Sequence, residues 1–208
     1  MGLLSFFKKK EAIPVSLPSE LDVRTEVILS GSGGQGMILA GRILAEAASI
    51  FEDKVAVMTQ SYGPEARGGA SKAEVIIGEG NIDYPKVMSA DILLCMTQEA
   101  MDKYAASLNK DGLLVVDETF VNKIPPGFKN VFGAKISTAA IKVLDTRIVA
   151  NIIALGCIAA ITNIVSREAL IKTVLHLVPD KALVIDRIAV DSGFKLVRDS
   201  KFQYKPGK

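Results

Sequence analysis

Residues 60–69, Gln-Ser-Tyr-Gly-Pro-Glu-Ala-Arg-Gly-Gly, gather a phenol (Tyr62), a carboxylate (Glu65) and a guanidinium (Arg67) in one stretch with three glycines and a proline. Such a loop has little to pack with, yet it specifies its backbone closely. Pro64 fixes one φ and removes a donor, while Gly63, Gly68 and Gly69 allow positive φ or close backbone approach. A tight surface turn would account for the composition. A loop shaped to meet a ligand or a partner's active site accounts for Arg67 as well, because sites sit on loops held by a rigid scaffold. Some thirty residues earlier, Gly31-Ser-Gly-Gly-Gln-Gly36 has glycines at the G-x-G-x-x-G spacing (Gly31, Gly33, Gly36). Between a strand and a helix, that spacing lets backbone N–H groups and the helix N-terminus cradle a phosphate. The same glycines would also serve merely to bring helix close to strand.

Other candidates carry less. His176 is the one histidine, and no serine or cysteine motif points at it, so a surface position on its helix is expected. Asp117-Glu118 falls at the carboxyl end of a strand, where open α/β sheets bind ligands; capping explains the pair as well as acid–base chemistry does. Asn151, inside an apolar run, reads as a buried and satisfied polar group. Lys72 and Glu74 alternate on a strand and read as its solvated face. No nucleophile–base–orienter set can be assembled.

The elements that must position these residues follow in order. Residues 1–24, with Pro14 and Pro18, form a lead-in outside the domain, which spans 25–198; residues 199–208 are a basic tail. Residues 26–30 are a short apolar strand entering the glycine turn. A helix follows from residue 37, with Ile38, Ala45 and Leu44 or Gly41 available to face a sheet. Residues 54–59 give a second strand that ends in Thr59-Gln60, without the Asp or Glu that a nicotinamide- or flavin-binding unit places on the ribose. Residues 71–77 make a third strand after only about ten residues of glycine-rich loop. A right-handed parallel crossover needs a dozen or more residues, so this strand is expected to break the parallel pattern. Strands at 91–96, 113–117 and within 131–138 follow. Thr97 is placed to cap a helix over 98–108, ended by a turn at 109–112. Further helices are expected at 139–143, 146–165, 166–177 (capped by Ser166) and 181–197. The fold class is therefore α/β, a three-layer α/β/α sandwich on a mixed, mostly parallel sheet.

At 208 residues the chain can bury a proper core, and 49% hydrophobic against 23% charged residues is a globular composition. A net charge of +2 is too small to make nucleic acid the main partner. The apolar run at 149–165 is short for a membrane span and contains Asn151, Gly156, Thr162 and Asn163, so it reads as a buried helix. Residues 1–10 have their lysines after the apolar residues, the reverse of a secretory signal. Cys95 and Cys157 each lie in an apolar run and read as buried thiols of a reducing, cytoplasmic compartment. Two cysteines and one histidine cannot build an iron–sulfur or four-ligand zinc site within the chain. No metal site is expected.

The glycine turn 31–36, the Ala-Gly-x-Ile-Leu-Ala-Glu-Ala-Ala helix at 40–48 and the loop 60–69 together resemble the gamma subunit of 2-oxoacid:ferredoxin oxidoreductases. Asp-Tyr-Pro (83–85), Gln-Glu-Ala-x-Asp-Lys-Tyr (98–104) and Gly-x-Leu-x-Val-Asp (112–117) fit the same family over residues 26–197. The 2-oxoglutarate branch matches best, with pyruvate, branched-chain 2-oxoacid and indolepyruvate enzymes close behind. The resemblance implies a domain of the pyruvate:ferredoxin oxidoreductase domain III type. It implies a complex that decarboxylates a 2-oxoacid on thiamine diphosphate with Mg, passes electrons through iron–sulfur clusters to ferredoxin and releases an acyl-CoA. Those cofactors would sit on alpha and beta subunits, with a delta subunit as a further candidate partner. This chain would serve assembly and the coenzyme A side. Carried onto this sequence, the backbone at Gly31, Gly33, Gly34, Gln35 and Gly36 would face a diphosphate or a partner surface. Tyr62, Glu65, Arg67 and Gly68 would close the reaction chamber, with Arg67 meeting a coenzyme A phosphate or a substrate carboxylate. In the last helix, residues 186–193 depart from the family's Asn-x-x-Ala-Phe-x-x-Gly. The rivals are a stand-alone nucleotide-binding oxidoreductase and a purely structural subunit.

Overall fold

The computed structural model describes residues 24–61, 69–177 and 183–205. The organising element is β1 (Arg24–Ser32), whose interior residues Val27, Ile28 and Leu29 are buried from both sides. It lies inside a six-stranded sheet of order β2-β3-β1-β4-β5-β6, with β2 Val55–Ser61, β3 Ala70–Gly78, β4 Ala90–Cys95, β5 Leu108–Asp117 and β6 Asn130–Ala134. β1, β4, β5 and β6 pair in parallel, while β3 runs antiparallel to both β1 and β2. The short connection after β2 has this consequence: it returns the chain directly instead of carrying it back across the sheet.

The two faces of the sheet are covered unequally. One face carries α1 (Met37–Phe51), α3 (Ile136–Leu144), α4 (Ala150–Thr162), α5 (Arg167–Leu177) and α6 (Leu183–Ser200), which share one apolar cluster with Leu29, Val75, Leu94 and Val115. Among the described residues the other face carries α2 (Gln98–Tyr104), a 3-10 turn at Ala105–Ser107 and the segment around Val121 and Phe128, packed on Ile28, Leu93 and Leu114. Helix α4 is buried on every side from Ala150 to Ala159. An apolar helix without a polar face belongs in the centre of the helical layer, and no helix among the described residues is long and apolar enough to cross a membrane.

Several expectations from the sequence are corrected here. The sheet-facing side of α1 is Met37, Ala40, Gly41, Ile43, Leu44, Ala47 and Ala48; Ile38 and Ala45 are only half-buried. Residues 109–112 do not end a helix but bulge out of β5, where the register steps from Ala90↔Leu108 to Ile92↔Leu113. The long apolar helix is shorter than 146–165, because Asn163 adopts a left-handed conformation (φ 53°) and closes α4. Lys72 and Glu74 are not a solvated face. They pair with each other, Glu74 also accepts from Thr59, and the Lys72 ammonium stands 5.5 Å from the centre of the Tyr104 ring. Nor is all of 199–208 a free tail: Phe202 packs edge-on against Phe132 at 5.5 Å, and the Lys205 carbonyl accepts from Asn130. Thr97 does cap α2 through Ala100 N, and Ser166 caps α5 through Ala169 N.

Candidate functional site

Between β1 and β4 the strand order reverses direction, and the crevice at the carboxyl ends of these strands is where open α/β sheets bind ligands. A cleft of about 500 Å³ opens at that place. Its floor and walls come from Ser32, Gly33, Gly34 and Gln35 after β1, Met96 and Thr97 after β4, Phe120 after β5, Ser137 at the start of α3, and Arg147, Ile148 and Ala150 at the start of α4.

The glycine turn is built by its own side chains. Gly31 is not in the turn but is the penultimate residue of β1, paired with Ser71. The Gln35 side chain folds back so that its Oε1 accepts from Ser32 N at 2.8 Å, and Gln35 N donates to Ser32 O at 3.2 Å. A side chain at Gly31 would stand 2.5 Å from that Oε1. Gly33 and Gly34 have nothing within 4 Å of where a Cβ would be, so their backbone is open to the cleft. Gly36 caps α1 in a left-handed conformation, φ 72° and ψ 29°, without a side-chain cap. The first N–H groups of α1 are thereby left for a ligand or solvent.

The helix starts of the opposite wall are already engaged: Thr138 N of α3 donates to Thr119 Oγ1, and in α4 Ala150 N donates to Arg147 O and Ile152 N to Val149 O. α4 begins at Ala150 without a capping side chain from Val149. Ser137, 2% exposed, sits in the first turn of α3, where its N–H donates to Asp117 Oδ2. Asp117 is fully buried and its other oxygen accepts from Thr119 N at 2.9 Å. Capping, not acid–base chemistry, is what both its oxygens do. The Arg147 guanidinium lies over the Phe120 ring at 5.9 Å, and Ile148 beside it is 84% exposed. The start of α1 and the Arg147 guanidinium therefore stand at a single opening, an arrangement suited to an anionic ligand.

The sequence-predicted residues divide sharply. Gly33, Gly34 and Gln35 line the cleft, and Gly36 follows them as the cap residue of α1. Tyr62, Glu65, Arg67 and Gly68 lie outside the described residues. The described residues that flank them, Ser61 and Ala70, stand at the cleft end of the sheet, Ala70 directly opposite Ser32. His176 is exposed on α5. Arg147 was not foreseen, because a lone cation in a turn between two helices has no motif around it. Asn151 is buried, as expected, but its amide Nδ2 donates to Gly36 O at 3.0 Å. Cys95 and Cys157 are both buried; burial pushes the Cys95 thiol up to about 12 and Cys157 upward as well. Among the described residues no three His, Cys, Asp or Glu side chains gather as a metal site.

Comparison with known proteins places this geometry. Residues 26–195 match the family described as pyruvate ferredoxin/flavodoxin oxidoreductase. The chain is 44% identical over 179 residues to the 2-oxoglutarate synthase subunit KorC of Methanocaldococcus jannaschii, covering 85% of this chain and 96% of that one. It is similar to the solved gamma subunit of a keto/oxoacid ferredoxin oxidoreductase from Geobacter sulfurreducens, with 48% identity, a TM-score of 0.79, and 85% and 98% of the two chains covered. It shares its fold with a 2-oxoglutarate:ferredoxin oxidoreductase from Magnetococcus marinus solved with 2-oxoglutarate, coenzyme A and succinyl-CoA. There the TM-score is 0.73 at 18% identity, with 91% of this chain and 34% of that chain covered.

Proposed function

Because the chain belongs to the pyruvate ferredoxin/flavodoxin oxidoreductase family, we propose that it is the gamma subunit of a 2-oxoglutarate:ferredoxin oxidoreductase. The complex would convert 2-oxoglutarate and coenzyme A into succinyl-CoA and CO2, passing the electron pair to ferredoxin. This subunit would face coenzyme A. The observation that carries the reading is the cleft at the switch point, where the open backbone of Gly33 and Gly34, the uncapped start of α1 and Arg147 converge.

Coenzyme A suits such a place because it brings phosphate groups on a flexible ligand. Charge-assisted bonds from a guanidinium and from helix N–H groups hold phosphate without any bond being made or broken. The role of this chain is then binding and orientation: it holds the phosphates so that the thiol reaches the acyl group formed on a partner subunit. Arg67, Glu65 and Tyr62, on the loop whose flanks stand at the same pole, would complete the enclosure. Thiamine diphosphate, Mg and the iron–sulfur clusters would belong to alpha and beta subunits; Cys95 and Cys157 are buried within the apolar clusters of this chain. The 2-oxoglutarate assignment is supported by similarity to KorC chains along nearly their whole length.

The test is anaerobic affinity purification from the native host through a tag on this chain, followed by CoA-dependent dye reduction with a panel of 2-oxoacids. Co-purification of larger subunits and preference for 2-oxoglutarate are expected. A chain eluting alone with a bound nucleotide would overturn the reading.

A further inference from the structure

The two walls of the cleft come from distant parts of the chain, and one buried side chain joins them. Asn151, 2% exposed, is the second residue of α4. Its Nδ2 donates to Gly36 O at 3.0 Å, and its Oδ1 accepts from Ile152 N at 2.9 Å. One end of the amide therefore shares with Val149 O the N–H of Ile152 at the start of α4, while the other grips the carbonyl that also receives the first helical bond of α1, from Ala40 N. Neither a carboxylate, which only accepts, nor an alkyl side chain could do both. Gly36 is matched to it, because a Cβ there would stand 2.5 Å from Asn151 Nδ2.

We propose that Asn151 is a positioning residue for the anionic ligand of the cleft: it sets the distance between the glycine turn and the wall carrying Arg147 and Ile148. This rests on the reading of the cleft as the coenzyme A side. A bound phosphate needs N–H groups of the turn and the cation of the facing wall at bonding distance together. An error of about 1 Å between them loosens the charge-assisted bonds on which binding depends. Asn151 itself is 2% exposed and does not line the cleft, and each end of its amide already has a backbone partner. Its effect must pass through the geometry of others.

The experiment uses the assembled complex carrying Asn151→Ala or Asn151→Asp. Asparagine to alanine removes the latch without adding charge, whereas aspartate keeps the shape but turns a carboxylate oxygen toward the Gly36 carbonyl. Steady-state kinetics with coenzyme A and 2-oxoglutarate are read beside amide exchange of peptides covering 31–40. Faster exchange at the turn and a KM for coenzyme A raised about tenfold, with KM for 2-oxoglutarate and kcat within twofold, is the expected result in both variants. Equal loss in all kinetic parameters, or no change in the coenzyme A KM, would overturn it. Arg147→Ala is measured alongside. If that variant raises the coenzyme A KM and Asn151→Ala does not, the positioning role fails while the reading of the cleft stands. If neither changes it, the reading of the cleft fails as well.

Discussion

Gly193→Ala tests the packing on which the cleft depends. Helix α4, which carries Asn151 and follows Arg147, packs backbone against backbone on α6 at Gly156 and Gly193. An added Cβ on Gly193 would stand 2.3 Å from Ile153 O, 2.7 Å from Cys157 N and 2.7 Å from Gly156 Cα. Across the seam, a Cβ on Gly156 would meet Val190 O at 2.5 Å. All of these neighbours are backbone, so no rotamer change relieves the contact. Ordinary contact begins near 3.4 Å, which means the helices must part by about 1 Å. A gap of that size forfeits a quarter to a half of each atom pair's dispersion energy along the seam. Overpacking of this kind costs about 3 kcal/mol, and alanine returns about 1 kcal/mol in helix propensity. The net loss is about 2 kcal/mol, or roughly 4–8 °C in Tm for a domain of this size. Urea and thermal unfolding of the purified chain read it directly, with Arg187→Ala, at an exposed position of α6, as the control. A Gly193→Ala chain as stable as the parent would show that α4 is not held by this crossing. The reasoning that places the Arg147 wall would then lose its support.

Other outcomes follow from particular groups. Asp186 is 2% exposed, and its Oδ2 has no hydrogen-bond partner among the described residues; burial raises its pKa. A carboxyl raised on folding is tolerated while protonated and penalised once pH passes above the ordinary carboxylate range. Asp186→Asn should therefore stabilise the chain by about 1 kcal/mol at neutral pH and by nothing near the bottom of that range, measured as the difference in urea midpoints at the two pH values. In the assembled complex, Arg67→Ala should raise the KM for coenzyme A or for the oxoacid at least tenfold while leaving subunit composition unchanged, as judged by gel filtration. Unchanged kinetics in that variant would remove Arg67 from the site, and lost assembly would assign the loop to scaffolding.

How much could be read from the sequence depended on how far apart the interacting residues lie. The antiparallel β3 was legible because chain length alone decides it: a short glycine-rich connection cannot carry a parallel crossover. The caps at Thr97 and Ser166 and the burial of α4 rest on local pattern and held for the same reason. The bulge at 109–112 was read as a turn, because polar residues and Gly112 look alike in both until the neighbouring strand shows its register. Lys72 and Glu74 alternate as a solvated strand would, but each neutralises the other, and Tyr104 from α2 covers the lysine. The glycine turn announced itself through spacing. Its latch did not, since Asn151 lies 115 residues away and nothing local distinguishes it from any other buried amide. Arg147 acquires its meaning only from the glycine turn that shares its cleft. The last helix, despite its departures at 186–193, keeps Gly193, the residue its crossing with α4 requires.

Photolabelling with a coenzyme A analogue addresses the central claim most directly. The anaerobically assembled complex would be irradiated with an analogue carrying a photoreactive group near its phosphates, and the labelled peptides identified by mass spectrometry. Adducts on this chain within 32–36 or 147–150, suppressed by excess coenzyme A, are the predicted result. Adducts confined to the partner subunits, with the same suppression, would contradict the account and leave this domain a scaffold.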